Sequence, residues 1–249
     1  MSITFGSLFA GIGGFDLGFE RAGMVCKWQV EIDDYATKVL QKHWPHVHRE
    51  RDIRECGAHN LERVDVICAG FPCQDISYAG LGAGLGGNRS GLFFEIIRVV
   101  QQLRPRIVVL ENVSALLTRG IDKVLGTLAE IGFDAEWDVL EASAFGAPQR
   151  RERIFIVAYS DRNGFDEAVA KNRVFGKVLS KPQGWRGKRP NVLELTGVHG
   201  RRSRLLPPSR VRRMDDGFSA NVDRLRGLGN AVVPQVAEWI GRRIVEAMQ

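Results

Sequence analysis

Two rhythms of apolar residues alternate along this chain. Ile3 to Phe9, Lys27 to Val30, Val64 to Cys68, Ile107 to Leu110 and Ile154 to Tyr159 are short, largely apolar runs rich in β-branched residues, as buried strands require. Between them apolar residues recur at three- and four-residue spacing. Phe93, Ile96, Ile97 and Val100 mark one helix over Leu92 to Leu103, and Ile121, Val124, Leu125, Leu128 and Ile131 mark another. Shorter helices are expected from Asp16 to Arg21, stopped near Gly23, and after an Asp33 cap, with Tyr35, Val39 and Leu40 on one face. Pro45 and Pro105 end helices, whereas Pro234 suits the first turn of a last helix carrying Val236, Ile240 and Ile244. Phe133, Ala135, Trp137 and Val139 alternate with polar residues, predicting a half-exposed strand. Strands alternating with helices predict an α/β fold, a mostly parallel sheet with helices on both faces.

From Ser160 to about Val222 the periodicity disappears, so the chain divides into a domain over residues 1–159, completed by 224–249, and a small region over 160–223. Charge follows the same division. Residues 149–213 hold 17 Lys and Arg against 5 Asp and Glu, a local charge of +12, and the rest of the +6 chain is net acidic. A cationic segment with isolated aromatics (Phe175, Trp185, Phe218) favours a polyanionic partner and fits DNA backbone contacts; disorder in the free protein is the competing reading. At 249 residues the chain can bury a full core. No apolar run approaches the roughly 20 residues of a membrane span, and the N-terminus lacks the pattern of a signal peptide. The four cysteines show neither CxxC pairing nor metal-ligand spacing, so reduced thiols, a cytoplasmic location and no metal are expected.

Candidate chemistry sits where strands end. Gly70-Phe71-Pro72-Cys73-Gln74-Asp75-Ile76-Ser77 leaves an apolar strand, at the sheet edge where α/β folds bind ligands. Cys73 there is either a nucleophile helped by Gln74 and Ser77 or a small buried hydrophobe. Phe9-Ala10-Gly11-Ile12-Gly13-Gly14 is a strand–glycine turn–helix opening without the Gly-Lys-Ser/Thr of a P-loop. Glu31, about 20 residues further on, is placed for ribose hydroxyls or is a solvated surface acid. Asp52-Ile53 is compatible with an adenine amino group and ring. The glycine-rich stretch 80–91 reads as a lid or as a linker. Glu111 directly follows four apolar strand residues, so burial should raise its pKa unless it caps the next helix. Gln149, Arg151 and Arg153 share one face of an extended segment, aimed at an anionic or carbonyl-bearing ligand or bridging local acids.

Taken together and in order, Phe-Ala-Gly-Ile-Gly-Gly, Glu31, Asp52-Ile53, Gly-Phe-Pro-Cys-Gln, Gly-Leu-Phe-Phe-Glu (91–95), Glu-Asn-Val (111–113), Gln-x-Arg-x-Arg and Gly-Asn-Ala-Val-Val-Pro resemble the cytosine-5 DNA methyltransferase family of bacterial and phage type. The resemblance covers 3–159 and 224–249. It implies a Rossmann-like methyltransferase sheet and S-adenosylmethionine (SAM) as methyl donor, leaving S-adenosylhomocysteine. It further implies Cys73 as a nucleophile on carbon 6 of a flipped-out cytosine, Glu111 at N3, and Arg153 with Arg151 at O2. Gln74, Ser77 and Gln149 would contact the substrate. Phe9, Gly11, Ile12, Gly14, Glu31, Asp52, Ile53, Pro72, Leu92 and Asn230 would line the cofactor site. Double-stranded DNA is the implied partner of a monomeric enzyme, with a cognate restriction endonuclease as a second one. The 160–223 region departs from the family pattern: it is short, and Arg204-Leu205-Leu206-Pro207 and Arg212-Arg213-Met214 match its recognition stretch only loosely. A tRNA-directed member of the family, an inactive nucleic-acid-binding module and a nucleotide-binding oxidoreductase are the alternatives.

Overall fold

A computed structural model describes residues 2–72, 91–147, 150–160, 174–175 and 231–249. Cys73, Gln74, Ser77, Gln149 and Asn230, with residues 80–90 of the glycine-rich stretch and most of 160–223, lie outside the described residues. The first half alternates β1 (Thr4–Leu8), α1 (Gly14–Arg21), β2 (Val25–Val30), α2 (Asp34–His43) and β3 (His48–Glu50). A 3-10 turn, Ile53–Glu55, precedes β4 (Val66–Gly70). Then follow α3 (Gly91–Leu103), β5 (Ile107–Val113), α4 (Leu116–Arg119), α5 (Ile121–Glu130), β6 (Phe133–Glu141), a 3-10 turn Ala142–Phe145, β7 (Glu152–Ser160) and α6 (Pro234–Ala247).

The strands form one sheet in the order β3-β2-β1-β4-β5-β7-β6. β1 to β5 run parallel, and β7 and β6 are antiparallel additions. The strand order reverses between β1 and β4, which places the turns after those two strands side by side at a topological switch point.

Each central strand sends alternate residues to two cores, because side chains on a strand alternate faces. Ile67, Ala69, Val108, Leu110, Ile154 and Ile156 face α3 and α5, while Val66, Cys68, Ile107, Val109, Phe155 and Val157 face α1 and α6. α6 lies directly on α1. A Cβ on Gly18 would stand 2.4 Å from the Ala237 Cβ, so only glycine admits this approach.

Several elements differ from the sequence expectation. β4 starts at Val66 rather than Val64, because the Asp65 carboxylate accepts the Thr4 N–H and Oγ1–H (2.9 Å each), turning the chain before the ladder begins. β5 continues through Glu111 and Asn112 to Val113, since β7 pairs with it along its whole length. β3 is short and polar, and carries no apolar signal. In α2 the Asp33 cap is present, its carboxylate accepting the Ala36 N–H at 2.8 Å, but the buried residues are Ala36 and Leu40 rather than Tyr35 and Val39. No helix among the described residues is long and apolar enough to cross a membrane.

Candidate active site

The turn after β1 forms one half of the site. Phe9 and Gly11 both take left-handed backbone angles, φ 53 and 56. A Cβ on Gly11 would meet nothing within 4 Å among the described residues, which leave open space in front of this backbone. Glu31, at the end of β2, holds the turn in shape. Its Oε2 accepts the Gly11 N–H at 2.7 Å and its Oε1 accepts the Asp33 N–H at 2.8 Å. Burial raises the Glu31 pKa, and those two N–H groups work against the rise. Each carboxylate oxygen keeps lone-pair capacity for a further donor.

Phe9 and Leu92 pack partly buried against the apolar cluster that also contains the buried Ile53, so three candidate cofactor residues from distant parts of the chain belong to one core. Ile12 is half-buried, Gly14 opens α1 against the Val232 carbonyl, and Pro72 is exposed. Asp52 is already engaged: Oδ1 accepts Arg54 N–H (3.0 Å) and Nε (2.9 Å), and Oδ2 accepts Nη2 (2.6 Å). These hydrogen bonds hold its carboxyl below the usual carboxylate range.

The other half lies across β4, β5 and β7. Gly70 pairs with Glu111, and a Cβ on Gly70 would sit 3.2 Å from Glu111 Oε2. Glu111 is 6% exposed and faces a small pocket, with room for little more than a water molecule, lined with Arg151, Arg153, Phe155, Ala142 and Val236. Its Oε1 lies 3.0 Å from Arg153 Nε, near enough for an ion pair but out of line for a hydrogen bond, so that buried oxygen has no hydrogen-bond partner among the described residues. The buried Nε of Arg151 has none either. Burial raises the Glu111 pKa, outweighing the opposing attraction of Arg153 and then Arg151. Burial, reinforced by the like charge of Arg153, lowers the Arg151 pKa. A buried acid and a guanidinium, each with an unused hydrogen-bonding atom, form a site able to take a ligand that both accepts and donates hydrogen bonds.

Asn112 points to the opposite face of β5, and its Nδ2 donates to the Phe71 carbonyl at 3.0 Å. This bond fixes the exit of β4 two residues before Cys73. Sequence reasoning quoted Asn112 within Glu-Asn-Val but gave it no role; the polar residue after a strand-end acid was the available signal. Val236 was read only as core of the last helix, yet it lines the pocket.

The SAM expected from the sequence can be tested against these residues. An open, left-handed Gly11, a buried carboxylate with spare lone pairs and an apolar wall of Phe9, Ile53 and Leu92 fit a nucleoside carrying an amino-acid arm. Asp52 fits less directly, because Arg54 occupies both of its oxygens.

The family model for C-5 cytosine-specific DNA methylases matches residues 3–186. Type II methyltransferase M.NgoBI of Neisseria gonorrhoeae is 37% identical over 181 residues, 69% of this chain and 56% of that protein. Type II methyltransferase M.BsuFI of Bacillus subtilis is 35% identical over 174 residues, 67% of this chain and 42% of that protein. The chain thus spans about half the length of the curated relatives it matches. In fold it is similar to DNMT2 of Spodoptera frugiperda, with a TM-score of 0.55 at 23% identity over 65% of this chain and 51% of that one. With the motifs in order on a Rossmann-like sheet and the family model matching most of its length, this chain belongs to the C-5 cytosine-specific DNA methylase family.

Proposed function

We propose that this protein transfers a methyl group from SAM to carbon 5 of a cytosine in duplex DNA, through a transient bond between Cys73 and carbon 6 of the base. The observation that carries this reading is the state of the other thiols. Cys26, Cys56 and Cys68 are buried. Burial keeps Cys26 and Cys68 protonated, with pKa values raised well above the ordinary thiol, and pushes Cys56 up to about 11. That leaves Cys73 as the thiol to which we assign the nucleophile. The end of β4 supports the assignment: Asn112, the residue after Glu111, donates to the Phe71 carbonyl two residues before Cys73 in the sequence.

When bound, SAM supplies an electrophilic methyl group on a sulfonium. Phe9, Gly11, Ile12, Gly14, Glu31 and Ile53 would hold it, with Pro72, Leu92, Asn230 and Asp52 assigned to the same site. The Cys73 thiolate adds to carbon 6, and the electron pair displaced from the 5,6 double bond is stabilised through the ring. Glu111, whose pKa burial raises, is assigned to deliver a proton to N3 as that charge develops. Arg153 and Arg151 hold the O2 carbonyl. Carbon 5, now enamine-like, would be the nucleophile for that methyl group, S-adenosylhomocysteine being the leaving group. Loss of the carbon 5 proton to water then re-forms the double bond and expels the Cys73 thiolate, and N3 returns its proton to Glu111. The base has to leave the helix to reach this pocket, and Gln74, Ser77 and Gln149 are assigned to the displaced site.

Transfer of labelled methyl from SAM to unmethylated duplex DNA tests the reading, with tRNA as the parallel substrate. Label in DNA, recovered as 5-methylcytosine, is the expected result. Label in tRNA alone, or in neither, overturns it.

A further inference from the structure

Two glycines of the turn after β1 face different surroundings. Among the described residues, a Cβ on Gly11 would meet nothing within 4 Å, which is the side left for a ligand. A Cβ on Gly13 would stand 2.5 Å from Cζ3 and Cη2 of Trp44 and 3.2 Å from Leu40 Cδ2. The far edge of the Trp44 indole therefore lies against the Gly13 backbone, in the space that a side chain would fill. Gly13 has a left-handed φ of 87, caps α1, and stands between Ile12 and Gly14, two residues assigned to the cofactor. Its N–H donates to the Ala10 carbonyl at 3.0 Å and its carbonyl accepts the Leu17 N–H at 3.0 Å, so a shift of Gly13 moves the turn and the start of α1 together.

Trp44 is itself held from behind. It closes α2, and its carbonyl accepts from Arg49 Nη2 of β3 at 2.9 Å. Arg49 Nε and Nη2 both donate to Gln29 Oε1 of β2, at 3.1 and 2.9 Å. Gln29 Nε2 donates to Asp16 Oδ1 at 2.8 Å, and Asp16 lies in the first turn of α1, just after Gly13. Contacts thus run from Gly13 through Trp44, Arg49, Gln29 and Asp16 back to α1 in a closed circuit. Gln29 and Asp16 are fully buried. A buried polar chain of this kind keeps its geometry, because each broken link leaves an unsatisfied group away from water. Glu31 grips the turn at Gly11, and Trp44 supports it at Gly13.

We propose that Trp44, locked by Arg49 and Gln29, is a positioning residue for SAM: it braces the glycine turn in the shape that receives the cofactor and acts on it through Gly13. Without the indole the turn has room to relax into shapes that do not bind. The apparent Kd then rises as the inverse of the fraction of molecules that keep the receiving shape. The proposal rests on the reading of this turn as part of a SAM site. It also gives a task to the buried Asp16–Gln29 pair, which the methyl-transfer chemistry does not use.

The test uses the full chain carrying Trp44→Ala, Trp44→Phe or Arg49→Met, with SAM and S-adenosylhomocysteine as ligands in calorimetry. Trp44→Ala is expected to raise both dissociation constants by about tenfold, as when the receiving shape is kept about a tenth of the time. kcat at saturating SAM and the KM for duplex DNA should stay within about twofold of the parent. Trp44→Phe, which keeps a ring but not the far edge of the indole, should fall between the parent and Trp44→Ala. Arg49→Met should shift Kd in the same direction by less. Amide hydrogen exchange supplies a readout that needs no ligand: the Gly11 and Gly13 N–H groups should exchange faster in Trp44→Ala than in the parent. An unchanged Kd in Trp44→Ala, even with a lower urea midpoint, makes Trp44 a packing residue and overturns the proposal, as do equal exchange rates at Gly11 and Gly13. If Trp44→Ala does not fold, unchanged Kd values in both Trp44→Phe and Arg49→Met overturn it instead. A parent chain that binds neither ligand sinks the cofactor reading itself, an outcome distinct from a parent that binds and variants that bind equally.

Discussion

Glu31 and Glu111 are both carboxylates at the end of a parallel strand, and burial raises the pKa of both. They differ in what their oxygens touch. Each oxygen of Glu31 accepts a backbone N–H, which fixes the carboxylate and, through Gly11, the glycine turn itself. Glu111 leaves one buried oxygen without a hydrogen bond beside an arginine that is close but misaligned. The first arrangement suits binding, where the acid has to be ionised and in place before the ligand arrives. The second suits proton delivery, where the acid has to stay neutral until charge develops on its partner. A third buried acid, Asp16 on α1, completes the series: Ser7 (3.2 Å), Gln29 (2.8 Å) and Cys26 (3.6 Å) all donate to it, and burial still pushes its pKa up to about 6. These bonds join α1 to β1 and β2.

The largest expected effect comes from Glu111. Glu111→Gln keeps the shape but removes the proton, so methyl transfer should fall by about 10² to 10⁴ with SAM affinity unchanged in calorimetry. In the parent enzyme the protonated form is the active one, so kcat should decline as pH rises through the elevated Glu111 pKa, and the variant should lose that limb. Equal activity in the variant would erase the distinction between the two acids.

Asp16 gives the next largest change, in stability rather than rate. Its folded pKa lies above the ordinary 3.8 of a free aspartate, so the associated stability is fully present below about pH 3.8 and is lost as pH rises through about 6. The loss amounts to about 3 kcal/mol. Urea midpoints measured from pH 4 to 7 should show the parent falling relative to Asp16→Asn over that window. A constant offset between the two would mean that Asp16 does not titrate there.

Glu31→Ala should weaken SAM binding by about 10- to 100-fold, the loss of charge-assisted hydrogen bonds worth about 1.5–3 kcal/mol, while kcat at saturating SAM changes less than in Glu111→Gln. If kcat falls as far as it does for Glu111→Gln, the division between a binding acid and a proton-delivering acid is wrong.

How much of this was readable beforehand follows from where the signals lie. The buried strands were legible because Ile107 to Leu110 and Ile154 to Tyr159 are apolar runs, and Glu111 stood out as a charge placed directly after one of them. β3 was not, because His48–Glu50 is polar and takes its strand form from pairing with β2. The Asn112 bond to Phe71 spans 41 residues of sequence, so no local pattern could announce it. Asp16 and Gln29 looked like ordinary polar residues until α1 folded onto the sheet. Val174 is buried although it lies in a stretch without periodicity; its N–H donates to Tyr159 and its carbonyl accepts from Arg243, both distant in the chain.

The central claim is that Glu111 and the sulfur of residue 73 act on one base. Duplex DNA carrying 5-fluorocytosine tests it most directly, because fluorine at carbon 5 cannot leave as a proton and the enzyme stays attached after methyl transfer. With SAM present, the account predicts a stable protein–DNA adduct whose fragment spectrum places the modification on Cys73 and not on Cys68, formed much more slowly by Glu111→Gln. No adduct, or one carried by another residue, would contradict it.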